Sequence, residues 1–268
     1  MANPIPNTLK MTTLEETAVP RPFRFAEGEV LLVDKPLGWT SFDVVNKIRS
    51  AIKPIRAKVG HAGTLDPLAT GLLVICTGKF TKKIGTFQAE DKEYTGTITL
   101  GATTPSYDLE TAIDQTFDCS HITAEAVFAA AKQFEGEQEQ YPPAHSAIQI
   151  NGERAYEKAR RGETVQMKAR KVTIGRFAVE KVEMPNVHFR IACSKGTYIR
   201  SLAHDFGKAL GIGAHLSALR RTKSGSFHVD SAWNLQELTN LITNDKLRMT
   251  NAFQVPLAGI NPQPESNS

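Results

Sequence analysis

A single carboxylate stands inside a glycine-punctuated loop, Gly60-His61-Ala62-Gly63-Thr64-Leu65-Asp66-Pro67-Leu68-Ala69-Thr70-Gly71. Loops of this kind usually serve a site. Asp66 precedes a proline, which biases it toward an extended backbone, and the proline has no amide hydrogen to donate. The carboxylate is therefore projected from a stiff turn. An isolated Leu-Asp-Pro is more often a plain surface turn, so the loop needs partners before it implies chemistry.

Other chemistries fit less well. The span from Gly71 to Gly78-Lys79 is two residues too long for a phosphate-binding G-x-x-x-x-G-K-[ST] loop, and Phe80 stands where Ser or Thr would hold magnesium. Dinucleotide fingerprints, H-E-x-x-H and clustered metal ligands are missing, and no Ser or Cys sits on a recognisable nucleophile elbow. Chemistry by a carboxylate, with or without an arginine, is what remains.

The elements that must position Asp66 follow from periodicity. A short apolar strand covers 30–33, and a helix starts at Ser41, its expected N-cap, with Asp43 in the first turn and Phe42, Val45, Ile48 and Ile52 at helical spacing. The apolar run 72–76 reads as a buried strand directly after the loop. Residues 94–100 alternate as a half-buried strand. A helix is expected over 123–134, stopped by Gly136. Val187, Phe189, Ile191 and Cys193 alternate again, and the turn Ser194-Lys195-Gly196-Thr197 leads into a helix carrying Ile199, Leu202, Ala203, Phe206 and Leu210 that ends at Gly211. Strands and helices mixed without regular alternation predict an α+β fold, a mixed and largely antiparallel sheet flanked by helices.

Composition is that of an ordinary globular protein, 41% hydrophobic and 22% charged over 268 residues. Cys76, Cys119 and Cys193 are odd in number and far apart, which argues against a disulfide framework or zinc knuckle and for a reducing cytoplasm. No apolar run approaches membrane-spanning length, so no membrane association is expected. Residues 1–24 and 261–268 read as disordered tails around a domain over 25–260. The net charge of +4 hides segregation: basic residues flank the loop, and Arg220, Arg221 and Lys223 lie together, whereas acids gather over 108–139. One basic face suited to a polyanion and a scattered solvated surface both fit this pattern. Residues 138–170 read as a surface insertion, with Arg154, Lys158, Arg160 and Arg161 interleaved with Tyr141, His145 and Tyr156. That composition suits a grip on nucleic-acid backbone, and equally a solvated helix.

The loop 60–71 resembles the signature of the TruB family of tRNA pseudouridine synthases, and further motifs follow in family order. Upstream stands Asp34-Lys35-Pro36-Leu37-Gly38-Trp39-Thr40-Ser41. Downstream come Glu93-Tyr94, Leu100-Gly101-Ala102-Thr103-Thr104 with Asp108, Tyr141-Pro142-Pro143-Ala144-His145-Ser146-Ala147, Gly152 to Tyr156, Lys195-Gly196-Thr197-Tyr198-Ile199-Arg200, and Gly213-Ala214-His215-Leu216 with Leu219-Arg220-Arg221-Thr222. The likeness runs from about residue 29 to 227.

The resemblance implies the pseudouridine synthase catalytic fold and a set of roles. Asp66 would be the catalytic aspartate and Arg200 its partner, apt because a planar guanidinium can hold a carboxylate ionised and oriented. Tyr94 would lie against the target base. His61 would fill the space the base leaves in the RNA, Tyr198 and Leu219 would line the uracil pocket, and Lys35 would join them in substrate binding. Arg160, Arg161, Arg220 and Arg221 would contact the RNA backbone.

The implied activity is isomerisation of the T-loop uridine, position 55 of tRNA, to pseudouridine. It needs base flipping and no cofactor or metal. Asp66 would act as a nucleophile toward sugar or base, or as the base that yields a glycal. The T arm of tRNA is the expected partner, met by a monomer needing no guide RNA or protein. After Phe227 only about 40 residues follow, with Trp233, Leu235 and Leu238 in a helix-like segment, so the RNA-binding PUA domain of many members is not expected. Two other readings stay open: the guide-RNA-dependent subunit of box H/ACA particles, and a tRNA folding helper without chemistry.

Overall fold

The structure, a computed structural model, describes residues 23–146, 148–150 and 152–252. The two expected tails lie outside these residues, apart from Phe23 and Arg24.

Ten strands form one mixed sheet: β1 (Val30–Lys35), β2 (Val59–His61), β3 (Ala69–Thr77), β4 (Lys92–Leu100), β5 (Gly136–Gln140), β6 (Arg170–Glu183), β7 (Asn186–Cys193), β8 (Ala214–Ser224), β9 (Phe227–His228) and β10 (Trp233–Asn234). Their order is β10-β1-β3-β8-β4-β7-β6-β5, with β2 on β3 and β9 on β8. Pairing is antiparallel except between β1 and β10 and between β3 and β8. This is the expected α+β architecture. The helices are α1 (Ser41–Ala51), α2 (Ile84–Ala89), α3 (Ala124–Gln133), α4 (Ala155–Arg160), α5 (Ile199–Ala209) and α6 (Leu235–Ala252).

Two cores flank the β3/β8 seam. On one side α5 buries Ile199, Leu202, Ala203 and Phe206 against Ile98, Phe177, Phe189 and Ile191 of the sheet. Each large apolar side chain buried in this way contributes roughly 1.5–3 kcal/mol. On the other side, Val44, Val45 and Ile48 of α1 and Leu235, Leu238 and Ile242 of α6 cover Leu31, Val33, Leu73 and Ile75. Because β3 is also covered on its second face, by Ala62, Leu32 and Phe227, it reads in sequence as an unbroken apolar run rather than an alternating one.

The first helix begins one residue earlier than its sequence implies. Thr40 is the N-cap, in a capping box with Asp43, and Ser41 is the first helical residue. The Ser41 hydroxyl is engaged elsewhere, accepting from Leu65 N at 2.8 Å and donating to Leu65 O at 3.1 Å. That clamp ties α1 to the glycine-punctuated loop. Residues 141–169 leave the sheet edge between β5 and β6 and carry a small hairpin, Gln149–Ile150 with Glu153–Arg154, ahead of α4.

Candidate active site

The loop 60–71 runs from β2 into β3 over the parallel seam, where Leu219, Arg220 and Arg221 of β8 stand opposite Ala69, Thr70 and Gly71. Gly71 takes φ +98, and a Cβ there would stand inside the Arg221 backbone, within 3.0 Å of its N and C. No other residue type permits so close a crossing. The loop is held at several points. Leu65 is clamped by Ser41, Gly63 O accepts from Arg221 Nη2 at 3.2 Å, Pro67 O accepts from Gly38 N at 2.8 Å, and Asp66 O accepts from Ala69 N at 3.0 Å.

Asp66 thereby points into a cavity of about 310 Å³, whose walls include Tyr94, Tyr198, Arg200, Leu219 and Arg221. Arg200 enters from the first turn of α5 and is 3% exposed. Its Nε lies 3.0 Å from Asp66 Oδ2 and 3.5 Å from Asp108 Oδ2. Neither contact lies along the Nε–H direction, so Nε forms an ion pair with both carboxylates without an aligned hydrogen bond. Nη1 donates to Ser106 O and His145 O, each at 3.1 Å, which fixes the guanidinium plane.

The Asp66 side chain is 37% open to the cavity, yet protein walls surround it. Burial pushes its pKa above the ordinary carboxylate value, Arg200 pulls it back, and Asp108 and Glu110 push it up again. The result is a carboxylate more basic than a free one, oriented by a permanently charged partner. Tyr94 of β4 is buried; burial raises its pKa, and the nearby Arg221 charge opposes the rise.

Asp66, Tyr94, Arg200, Tyr198 and Leu219 thus meet in one cavity. Other expected site residues take different places. Lys35 is fully buried, and its ammonium donates to Pro36 O at 2.9 Å, Trp39 O at 2.6 Å and Pro67 O at 3.4 Å. It ties two loops together, and burial lowers its pKa to about 8. Arg221, expected on the RNA backbone, is 1% exposed and lines the cavity, with Nε donating to Leu72 O at 2.7 Å. Its neighbour Arg220 points to the opposite face of β8, where it grips Asp34 bidentately at 3.0 and 2.6 Å.

His61 is half-buried, its Nδ1 has no hydrogen-bond partner among the described residues, and burial with the nearby Arg221 charge lowers its pKa. In the insertion, Arg160 bonds Glu110 at 2.6 Å, and Arg161 pairs with Glu153 and with Glu163 at 2.7 Å. Residues missed as site members are Asp108, Lys92, Ser146 and Arg170. Asp108 stood in a quoted motif, but nothing local showed that it shares Arg200. Among the described residues no group of three or more His, Cys, Asp or Glu side chains could hold a metal ion. No described helix is long and apolar enough to cross a membrane.

Comparison with known proteins agrees with this geometry. The family model described as TruB family pseudouridylate synthase (N terminal domain) matches residues 49–199, and that for the tRNA pseudouridylate synthase B C-terminal domain matches 200–254. The protein named tRNA pseudouridine synthase B of Flavobacterium johnsoniae is 56% identical over 216 residues, 79% of this chain and 94% of that one. The protein of the same name from Phocaeicola vulgatus is 49% identical over 229 residues, 83% of this chain and 97% of that one. Among solved structures, a chain of a Cbf5-Nop10-Gar1 complex superposes with TM-score 0.63 at 32% identity, covering 81% of this chain. One of an H/ACA RNP bound to a substrate RNA containing 2′-deoxyuridine gives 0.63 at 29%, covering 84%. This chain spans 54% and 56% of those two chains.

Proposed function

We propose, for a chain that belongs to the TruB family of pseudouridylate synthases, that it converts a T-loop uridine of tRNA, position 55, to pseudouridine with Asp66 as the reacting carboxylate. The observation that carries this reading is Asp66 on a cavity wall, 3.0 Å from a buried Arg200. The curated relatives named tRNA pseudouridine synthase B support tRNA as the substrate.

The reaction exchanges one bond for another. The N1–C1′ bond breaks, C5 bonds to C1′, C5 gives up a proton and N1 gains one, so no group or electron comes from outside. A uridine stacked in a loop cannot reach a carboxylate inside the cavity, and must flip out at a cost of a few kcal/mol. Tyr94 and Leu219 offer apolar walls for the detached base, and their contacts offset that cost. Asp66, oriented by Arg200, acts on the sugar or the base, its raised pKa adding to its basicity. With the RNA seated over the cavity mouth, its walls keep water from the sugar while its bond to the base is open.

A tRNA folding helper without chemistry is not favoured. It would need no buried guanidinium shared between two carboxylates, an arrangement that costs desolvation of every ion in it. The chain is proposed to work as a cytoplasmic monomer without guide RNA or protein partner. The test is to incubate the purified chain alone with a T-arm stem-loop and separate the digested nucleosides by chromatography. One pseudouridine per RNA is expected; none would overturn the proposal.

A further inference from the structure

Besides Arg200 Nε, two buried polar atoms of cavity-lining residues have no hydrogen-bond partner among the described residues: Ser146 Oγ and Arg170 Nη2. Ser146 is 4% exposed. Arg170 opens β6, and its guanidinium lies 4.5 Å from the ring centroid of Tyr198, itself a cavity residue. In that position the ring supports one face of the cation, and its buried Nη2 is left without an acceptor among the described residues.

Arg170 differs from the other arginines near the site. Arg160, Arg161, Arg200 and Arg220 each hold a carboxylate and Arg221 donates to Leu72 O and Gly63 O, whereas Arg170 pairs with no carboxylate among the described residues. Gly196, at φ +79, lies against it, and a Cβ there would stand 3.3 Å from Nη1. The turn before α5 therefore leaves the guanidinium room to move toward a ligand.

We propose that Arg170 and Ser146 form a seat for a phosphate of the RNA strand next to the flipped uridine. This rests on the uridine-isomerising reading above. With the sugar carbon at Asp66 and the base against Tyr94 and Leu219, the edge of the nucleotide left for Arg170 is its sugar–phosphate backbone. A full positive charge with a fork of donors matches the paired oxygens of a phosphodiester, while uracil is neutral. A hydroxyl beside the fork supplies a third donor.

The experiment crosses protein and RNA changes. A T-arm stem-loop is made with an uncharged methylphosphonate at the linkage 5′ or 3′ of the target uridine, and each RNA is assayed with the parent chain, Arg170→Gln and Ser146→Ala. At one of the two linkages, the methylphosphonate and Arg170→Gln should each raise KM about 10-fold, as for loss of a charge-assisted hydrogen bond. Combined, they should raise it no further than either alone. Ser146→Ala removes one hydroxyl and should show the same non-additivity on a smaller scale; it carries the test if Arg170→Gln fails to fold. Multiplicative effects at both linkages, or a parent chain indifferent to both, would overturn the phosphate seat while leaving the isomerase reading intact. A parent chain that made no pseudouridine from the unmodified RNA would overturn both.

Discussion

The guanidinium of Arg200 lies 3.0 Å from Asp66 and 3.5 Å from Asp108, so one buried cation serves two carboxylates, one facing the cavity and one 7% exposed beneath it. Removing the cation leaves Asp108 without its ion-pair partner. Arg200→Met should therefore cost about 3–5 kcal/mol of stability, the usual penalty for breaking a buried pair. Arg200→Lys keeps the charge but cannot reach Asp66, Ser106 O and His145 O together, so it should fold better than Arg200→Met and still lose most turnover. Urea unfolding and turnover measured on both variants check this; an unaffected kcat in Arg200→Lys would contradict the orienting role.

Asp66 contributes to stability with the sign opposite to a normal salt-bridged acid. Its folded-state pKa is raised, by burial first, so the folded protein binds this proton more tightly than the unfolded chain does. The contribution of Asp66 is then largest at low pH and declines as pH rises through the folded-state pKa. Asp66→Asn has no such decline. At neutral pH the variant should melt at or above the parent temperature, and the gap should close on acidification. A variant that melts lower at neutral pH would contradict the electrostatic account of the site.

Lys35 should behave as a positioning residue. Lys35→Met keeps the buried stem but removes the ammonium that joins Pro36, Trp39 and Pro67. The unpaired carbonyls should cost at least about 2 kcal/mol, and displacement of Pro67 should lower kcat more than it raises KM. A rise in KM alone would restore Lys35 to the substrate-binding set.

Arg160 and Arg161 can reach RNA only by exchanging Glu110, Glu153 and Glu163 for phosphates. If they do, removing both should flatten the logarithmic salt dependence of tRNA binding by roughly 0.7–0.9 per contact. An unchanged slope would show that their carboxylates keep them, and would remove α4 from the RNA interface.

The ease of reading each part of the site from sequence follows the range of the interactions that made it. Asp66, Tyr94 and Arg200 stood in dense local motifs, and the alternation through Val187, Phe189 and Ile191 revealed its strand. Arg220 and Arg221 looked alike because they are adjacent. In a strand, adjacent side chains take opposite faces, and which face meets the cavity depends on the parallel pairing of β8 with β3, residues about 150 positions apart. The burial of Lys35 was illegible for a related reason: lysine is rarely fully buried, and its carbonyl partners converge only after loop 60–71 closes onto the loop after β1. Thr40 displaced Ser41 as N-cap because the Ser41 hydroxyl has a partner 24 residues away.

The central claim is that Asp66 performs the chemistry while RNA binding rests on other groups. Asp66→Asn preserves size and polarity and removes the charge, so the cavity should keep its shape. Tritium release from C5-labelled uridine and filter binding of tRNA, measured on one preparation, separate the two properties. Turnover should fall by at least about 10²- to 10⁴-fold, as for loss of a positioned proton-transfer group, while Kd changes by less than about tenfold. A variant that binds tRNA and still releases tritium at close to the parental rate would contradict the account.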